Sequence, residues 1–263
     1  MSDSVPRSVR VIGPGRAGTA LATALAGIGW TVREPVGRGE SPYAAARDVD
    51  LLVIATPDSV IAEVAAAVAP VDDTVVAHLA GSLGLEALAP HRNRAALHPL
   101  VALPDPDVGA RRLTAGAWFA VAGNTSAASA LVASVVDGLG GHRFSVDDEH
   151  RAAYHAAAAI ASNHVVALLG QAERVAATAG VPLVAYLELV RATIENVAEL
   201  GPAAALTGPA ARGDWETIER HRSALDPDEL VLYDALVAAA RRLVDAPVPT
   251  GDDGTVMPDG SEC

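Results

Sequence analysis

Two groups of residues in this chain have types and spacings that could do chemistry. The first lies in residues 9–18, VRVIGPGRAG, where Gly13, Gly15 and Gly18 form a GxGxxG turn between an apolar strand and the helical run 19–28. Each glycine answers a separate demand. Gly13 permits the tight turn, Gly15 lets a pyrophosphate approach bare main chain, and Gly18 lets the helix lie close to the strand. The helix start, headed by Arg16 and Ala17, offers unpaired N–H groups and the positive end of a dipole to phosphate. A dinucleotide held by Gly13, Gly15, Arg16, Ala17 and Gly18 is the expectation. The second group is dispersed: His98 follows a short strand, and His155 and Asn163 lie two turns apart on one face of a long helix, with Ala159 between them. Histidine titrates where proton transfer is useful, and an amide in mid-helix among apolar residues must find a partner, of which a substrate is one. Both histidines also have a plain reading as structural groups bonded within the fold.

Composition narrows the chemistry. All nineteen basic residues are arginine, so a lysine acid or Schiff base is excluded. The single cysteine, Cys263, is the last residue, which rules out an intrachain disulfide or a Cys-based zinc site and suggests a reducing, cytoplasmic setting. His78, His91, His142, His150 and His221 show no metal-ligand spacing, so no metal site is expected. A net charge of −13 argues against nucleic acid as a partner, and no unbroken apolar run is long enough for a membrane span. With 51% hydrophobic residues in 263, the chain can bury a real core.

The elements that must position these groups follow from periodicity. Strands are expected over 30–37, 50–55, 74–79, 95–97, 117–122 and 141–146, with helices over 41–47, 59–69 and 125–138 and a loop over 103–116. Strands alternating with helices at this spacing give an open, mostly parallel sheet, whose ligands bind beyond the carboxyl ends of the strands. From residue 147 the period is helical throughout: 148–179 as one long helix, then 183–200, 215–224 and 227–244. The expected organisation is a dinucleotide-binding α/β domain over 7–146, an all-helical domain over 147–246 and a disordered tail over 247–263. A long apolar helix leading such a domain suits packing against a second copy, so a homodimer through the helical domain is expected.

Counting about twenty residues on from Gly18, where an acid would accept from a ribose 2′-hydroxyl, reaches Arg38. An arginine there suits a 2′-phosphate and hence NADP, while Glu34 or Glu40 takes the acidic role if the register shifts. Thr56, Pro57 and Asp58, after the third strand, are expected beside the nicotinamide ribose.

The motifs GPGRAG, VIATPD, HLAGS, ALHPL, YHAAAAIASNHVVALL and LTGPAARGD, in this order, resemble the Rossmann-like proteins whose helical C-terminal domain was long labelled as of unknown function. That group is similar to ketopantoate reductases and, more distantly, to pyrroline-5-carboxylate reductases and the 3-hydroxyacid dehydrogenase superfamily. The resemblance spans residues 8 to about 244 and implies NADP-dependent reduction of a small oxo acid, ketopantoate first, in pantothenate biosynthesis. Ketopantoate reductases generally carry a lysine one helical turn before an asparagine; here Asn163 fits the asparagine and the lysine position is Ala159. A hydride reduction leaves an alkoxide, so His155, Asn163 and His98 become the catalytic candidates, and Ser82, Thr207 and Arg212 the substrate contacts, with Arg212 on the carboxylate and Asp214 helping to position it. The missing lysine leaves two other readings open: an imine reductase, because an imine can arrive already protonated, and an NADP-binding sensor without turnover. A deazaflavin-dependent variant is a further enzymatic possibility.

Overall fold

The structure, a computed structural model, describes residues 7–245; the expected disordered tail lies outside them. Contacts divide the chain into two compact units between His164 and Val165. The expected boundary at 146/147 instead marks the end of the sheet, because the next helix still packs its Tyr154 and His155 against sheet residue His98.

The first unit is built on β1 (Ser8–Ile12), β2 (Thr31–Val32), β3 (Leu51–Ile54), β4 (Val75–His78), β5 (Asn93–Pro99), β6 (Trp118–Gly123) and β7 (His142–Phe144). They form one sheet in the order β2-β1-β3-β4-β5-β6-β7. All pairings are parallel except β5 with β6. This is the Rossmann-type, mostly parallel sheet that the alternation of strands and helices implied.

Alternation within the strands makes two cores. In β3, Leu51 and Val53 face a core with α1 (Arg16–Gly27) and α4 (Ser126–Gly138), while Leu52 and Ile54 face α2 (Ile61–Ala67) and Leu88. All four are fully buried, as a central strand covered on both faces must be.

Several local expectations are corrected. Residues 103–116 are not a plain loop: α3 (Pro106–Leu113) forms there, with the Asp105 carboxylate accepting from the Val108 N–H at 2.9 Å and Pro106 in the first turn. Residues 41–47 form turns rather than a helix, because Arg10 and Thr74 claim the carbonyls of Ala45, Ala46 and Arg47. The second strand is short, although Val36 still bridges to Ile12. The helical stretch after the sheet is not uniform: α5 (Arg151–Ala159) is followed by a π turn, Ile160–His164.

The second unit holds α6 (Val165–Thr178), α7 (Val184–Ala205), α8 (Pro209–Arg212), α9 (Trp215–Ala224) and α10 (Pro227–Asp245). Gln171 in α6 donates to the Glu229 carbonyl and Arg174 pairs with the Glu229 carboxylate, joining α6 to α10. α7 is broken at Gly201 (φ 78°), ahead of Pro202, and buries none of its residues, leaving Leu189, Ile194 and Leu200 exposed. The helical stretch Asp148–Thr178, 31 residues long, is long and apolar enough to cross a membrane by length and composition. It nevertheless carries Arg151, His155, Asn163, Gln171 and Arg174, and its Tyr154 is bonded to the sheet.

Candidate functional site

A cleft of about 770 Å³ opens beyond the ends of β1 and β3, where the strand order reverses. Gly13, Gly15, Arg38, Glu40, Thr56 and Pro57 are among its lining. Gly13 has φ +88°, a left-handed conformation that glycine adopts without strain. A Cβ on Gly18 would stand 2.5 Å from the Gly13 carbonyl oxygen and 3.0 Å from the Ala55 Cβ, so only glycine lets α1 sit this close to the strands. A Cβ on Gly15 would meet nothing within 4 Å, which leaves the turn open to an incoming group. Gly15 caps α1 without a side-chain hydrogen bond, and no acidic residue lies in the first turn. The helix start therefore presents its N–H groups and positive dipole end unneutralised. Arg16 is exposed and Ala17 packs on the core; neither side chain lines the cleft, so their contribution is the main chain of the first turn.

The same cleft holds the groups expected near a ribose 2′ position. Gly37 N–H donates to the Glu40 carboxylate at 2.5 Å, which turns Glu40 back onto its own loop. Arg38 is exposed on the lining, and Glu34 is not part of it. Thr56 Oγ1 is buried without a hydrogen-bond partner among the described residues. An orphaned hydroxyl in a cleft lining is a polar atom arranged for a ligand. Asp58 and Ser82, expected on cofactor and substrate respectively, bond each other instead: the Ser82 hydroxyl donates to Asp58 Oδ2 at 3.0 Å, and neither lines the cleft.

A second cavity, of about 600 Å³, is walled by the segment from His98 to Ala102, by α5 and by the π turn. It brings His98, His155 and Asn163 together, with Ala159 also in its lining. The geometry adds Tyr154, whose hydroxyl lies 2.6 Å from His98 Nδ1. Gly81, after β4, closes the back of the group. A Cβ there would fall 2.7 Å from His155 Nδ1 and 2.9 Å from His98 Cε1, so the two rings occupy the space that any side chain at this position would need. Burial, and then the neighbouring His155, lowers the His98 pKa to about 4, so its ring is neutral near pH 7. Burial raises the Tyr154 pKa, which keeps its phenol protonated. His78 is fully buried behind them, held neutral by the same desolvation.

Asn163 is exposed rather than buried, and its Oδ1 accepts from the Ser162 hydroxyl at 2.9 Å. The whole turn Ile160–His164 is exposed with it, so the effect of the π turn is on the cavity wall. One residue more per turn widens the helix locally and lets neighbours Ser162 and Asn163 share one wall, while His164 does not line it. Thr207 and Arg212 belong to the helical unit, where both are exposed. Asp214 makes no hydrogen bond to Arg212, although the two interact through charge; its carboxylate caps α9, accepting from the Thr217 N–H at 3.1 Å and the Thr217 hydroxyl at 2.8 Å. Among the described residues no group of three or more His, Cys, Asp or Glu is placed to hold a metal ion.

Tyr154 and Gly81 are the site residues that sequence reasoning missed. Tyr154 had a weak signal, as a phenol next to His155 at the start of an alanine-rich helix; Gly81 had none beyond its place after a strand.

The model of a domain of unknown function, DUF2520, matches residues 117–240. No curated protein matches the sequence. Among solved structures, a candidate NADP oxidoreductase from Bacteroides fragilis superposes with a TM-score of 0.75 at 20% identity, over 90% of this chain and 98% of its own. A reductive aminase from Aspergillus terreus, in complex with NADPH and ethyl-5-oxohexanoate, gives 0.67 at 18% identity over 90% and 94%. A Plasmodium falciparum pyrroline carboxylate reductase with NADP bound gives 0.57 at 14% over 90% and 98%. At these identities the likeness is one of fold.

Proposed function

We propose that this chain is an NADP-dependent reductase of small C=N or C=O compounds, with a cyclic imine favoured over a 2-oxo acid. What carries the reading is the joint presence, beyond the carboxyl ends of one sheet, of a glycine-cradled dinucleotide cleft and a cavity holding His98, Tyr154, His155 and Asn163. NADPH fits the cleft: Gly13, Gly15 and the first turn of α1 take the pyrophosphate, Arg38 the 2′-phosphate, and Thr56 Oγ1 finds its missing partner on the nicotinamide half. The coenzyme would supply a hydride. Two of the solved structures similar in fold hold NADPH or NADP and a third is a candidate NADP oxidoreductase, which supports the coenzyme choice.

The choice of imine rests on charge. An oxo acid such as ketopantoate brings a carboxylate, and such sites hold it with a cation. No arginine or lysine is among the residues lining the second cavity, and His98 there is neutral. An uncharged imine makes no such demand. The test is NADPH oxidation measured side by side with 2-methyl-1-pyrroline and ketopantoate. The expected result is faster turnover of the imine. Faster turnover of ketopantoate would overturn the substrate preference, and NADPH binding without turnover of either would replace the reductase with a binding protein.

A further inference from the structure

We propose that Tyr154 is the residue that delivers the proton in this reaction, with His98 as the group that positions it. The inference rests on the reductase reading above and adds a donor that neither the glycine motif nor the fold assigns. With no lysine in the chain, a proton supplied by the protein to an unprotonated imine has to come from another side chain in the cavity. Tyr154 lines that cavity, and its ring is fixed on both sides. It packs edge-on to His98 at 5.5 Å between centroids and to Phe144 at 5.7 Å. Its hydroxyl sits 2.6 Å from His98 Nδ1. With the proton of the neutral imidazole on Nδ1, His98 donates to the phenol oxygen, and the phenol O–H is left to point into the cavity.

The other candidates are less well placed. His98 is neutral through the physiological range, so it holds a hydrogen bond rather than a spare proton. His155 Nδ1 is buried without a partner among the described residues and faces the main chain at Gly81, so that nitrogen is not open to a substrate. Around Tyr154 the wall is alanine: Ala157, Ala158, Ala159 and Ala161 leave room for a substrate nitrogen to approach.

The step balances. As hydride reaches the imine carbon, the π pair of the C=N bond moves to nitrogen, which takes the Tyr154 proton and becomes an amine. The resulting phenolate is held by the His98 Nδ1–H and is reprotonated from solvent water.

The experiment compares wild type and Tyr154→Phe on 2-methyl-1-pyrroline and on its N-methylated salt, 1,2-dimethyl-1-pyrrolinium, at a pH where the first is unprotonated. The N-methylated nitrogen cannot take a proton, so hydride alone completes its reduction. The expected result is a kcat lower by about a hundredfold on the imine, within the usual range for losing a general acid, with the iminium rate within a few-fold of wild type and NADPH affinity unchanged. His98→Asn should show the same selectivity between the two substrates, less steeply. Equal losses on both substrates, or no loss on the imine, would overturn the role of Tyr154. If wild type reduces neither compound, the imine reading fails, and this assignment fails with it.

Discussion

Gly18→Val is expected to abolish saturable NADPH binding and to lower stability by about 1–3 kcal/mol, the usual range for overpacking a filled interior. The residue sits where α1 crosses closest to the strands. Even the first added carbon would lie 2.5 Å from the Gly13 carbonyl oxygen and 2.8 Å from Val11 Cγ1. Neither neighbour can yield cheaply, since one is main chain and the other is part of the buried β1 face. The helix would have to shift outward, and the N–H groups of its first turn would leave the phosphate position. Gly27→Ala, at the far end of the same helix, is the control: its Cβ would meet nothing within 4 Å, so binding and melting temperature should stay near wild type. NADPH titration and thermal melts of both variants check this. Wild-type affinity in Gly18→Val would mean that the coenzyme does not use this turn.

Arg38→Ala should weaken NADPH by roughly 10- to 100-fold and leave NADH nearly unchanged. A hydrogen bond to a charged group contributes about 1.5–3 kcal/mol, and each 1.4 kcal/mol is a factor of ten. The sign follows from the loop. Gly37 brings no side chain, Glu40 is folded back onto the Gly37 N–H, and Arg38 lies exposed on the lining. Only the phosphorylated coenzyme has a group for Arg38 to bind bidentately. Paired titrations with NADPH and NADH separate this from general damage; a parallel loss of both would assign Arg38 a structural role, and an unchanged NADPH affinity would remove it from the site.

Much of the cofactor half is legible in the sequence because phosphate binding constrains the backbone itself. Gly13 and Gly18 are needed for φ and for space, and the run of apolar residues at 51–54 has to be a strand buried on both faces. Helix α3 is the instructive miss. Prolines and aspartates over 103–116 suggest a loop, yet Asp105 followed by Pro106 is also the signature of a helix start, and Arg111 and Arg112 suit its last turn.

The catalytic half is less legible, for geometric reasons. Hydrophobic periodicity places His155, Ala159 and Asn163 on one face, and all three do line one cavity. It is blind to a single extra residue in a turn, so the π turn, which puts Ser162 beside Asn163 on the cavity wall, leaves no trace in the pattern. The bond between His98 and Tyr154 joins residues 56 apart in the chain, and only the packing of α5 onto β5 brings them together. Ser82 and Asp58 show the converse. Each follows a strand on the ligand side, but their short polar side chains satisfy one another.

Calorimetric titration of the wild-type chain with NADPH tests the central claim most directly, since every assignment above depends on phosphates resting against the main chain at Gly13–Gly18. One saturable site per chain is expected, with NADH binding at least tenfold more weakly by the Arg38 argument. The absence of saturable binding for both coenzymes at millimolar concentration would contradict the account.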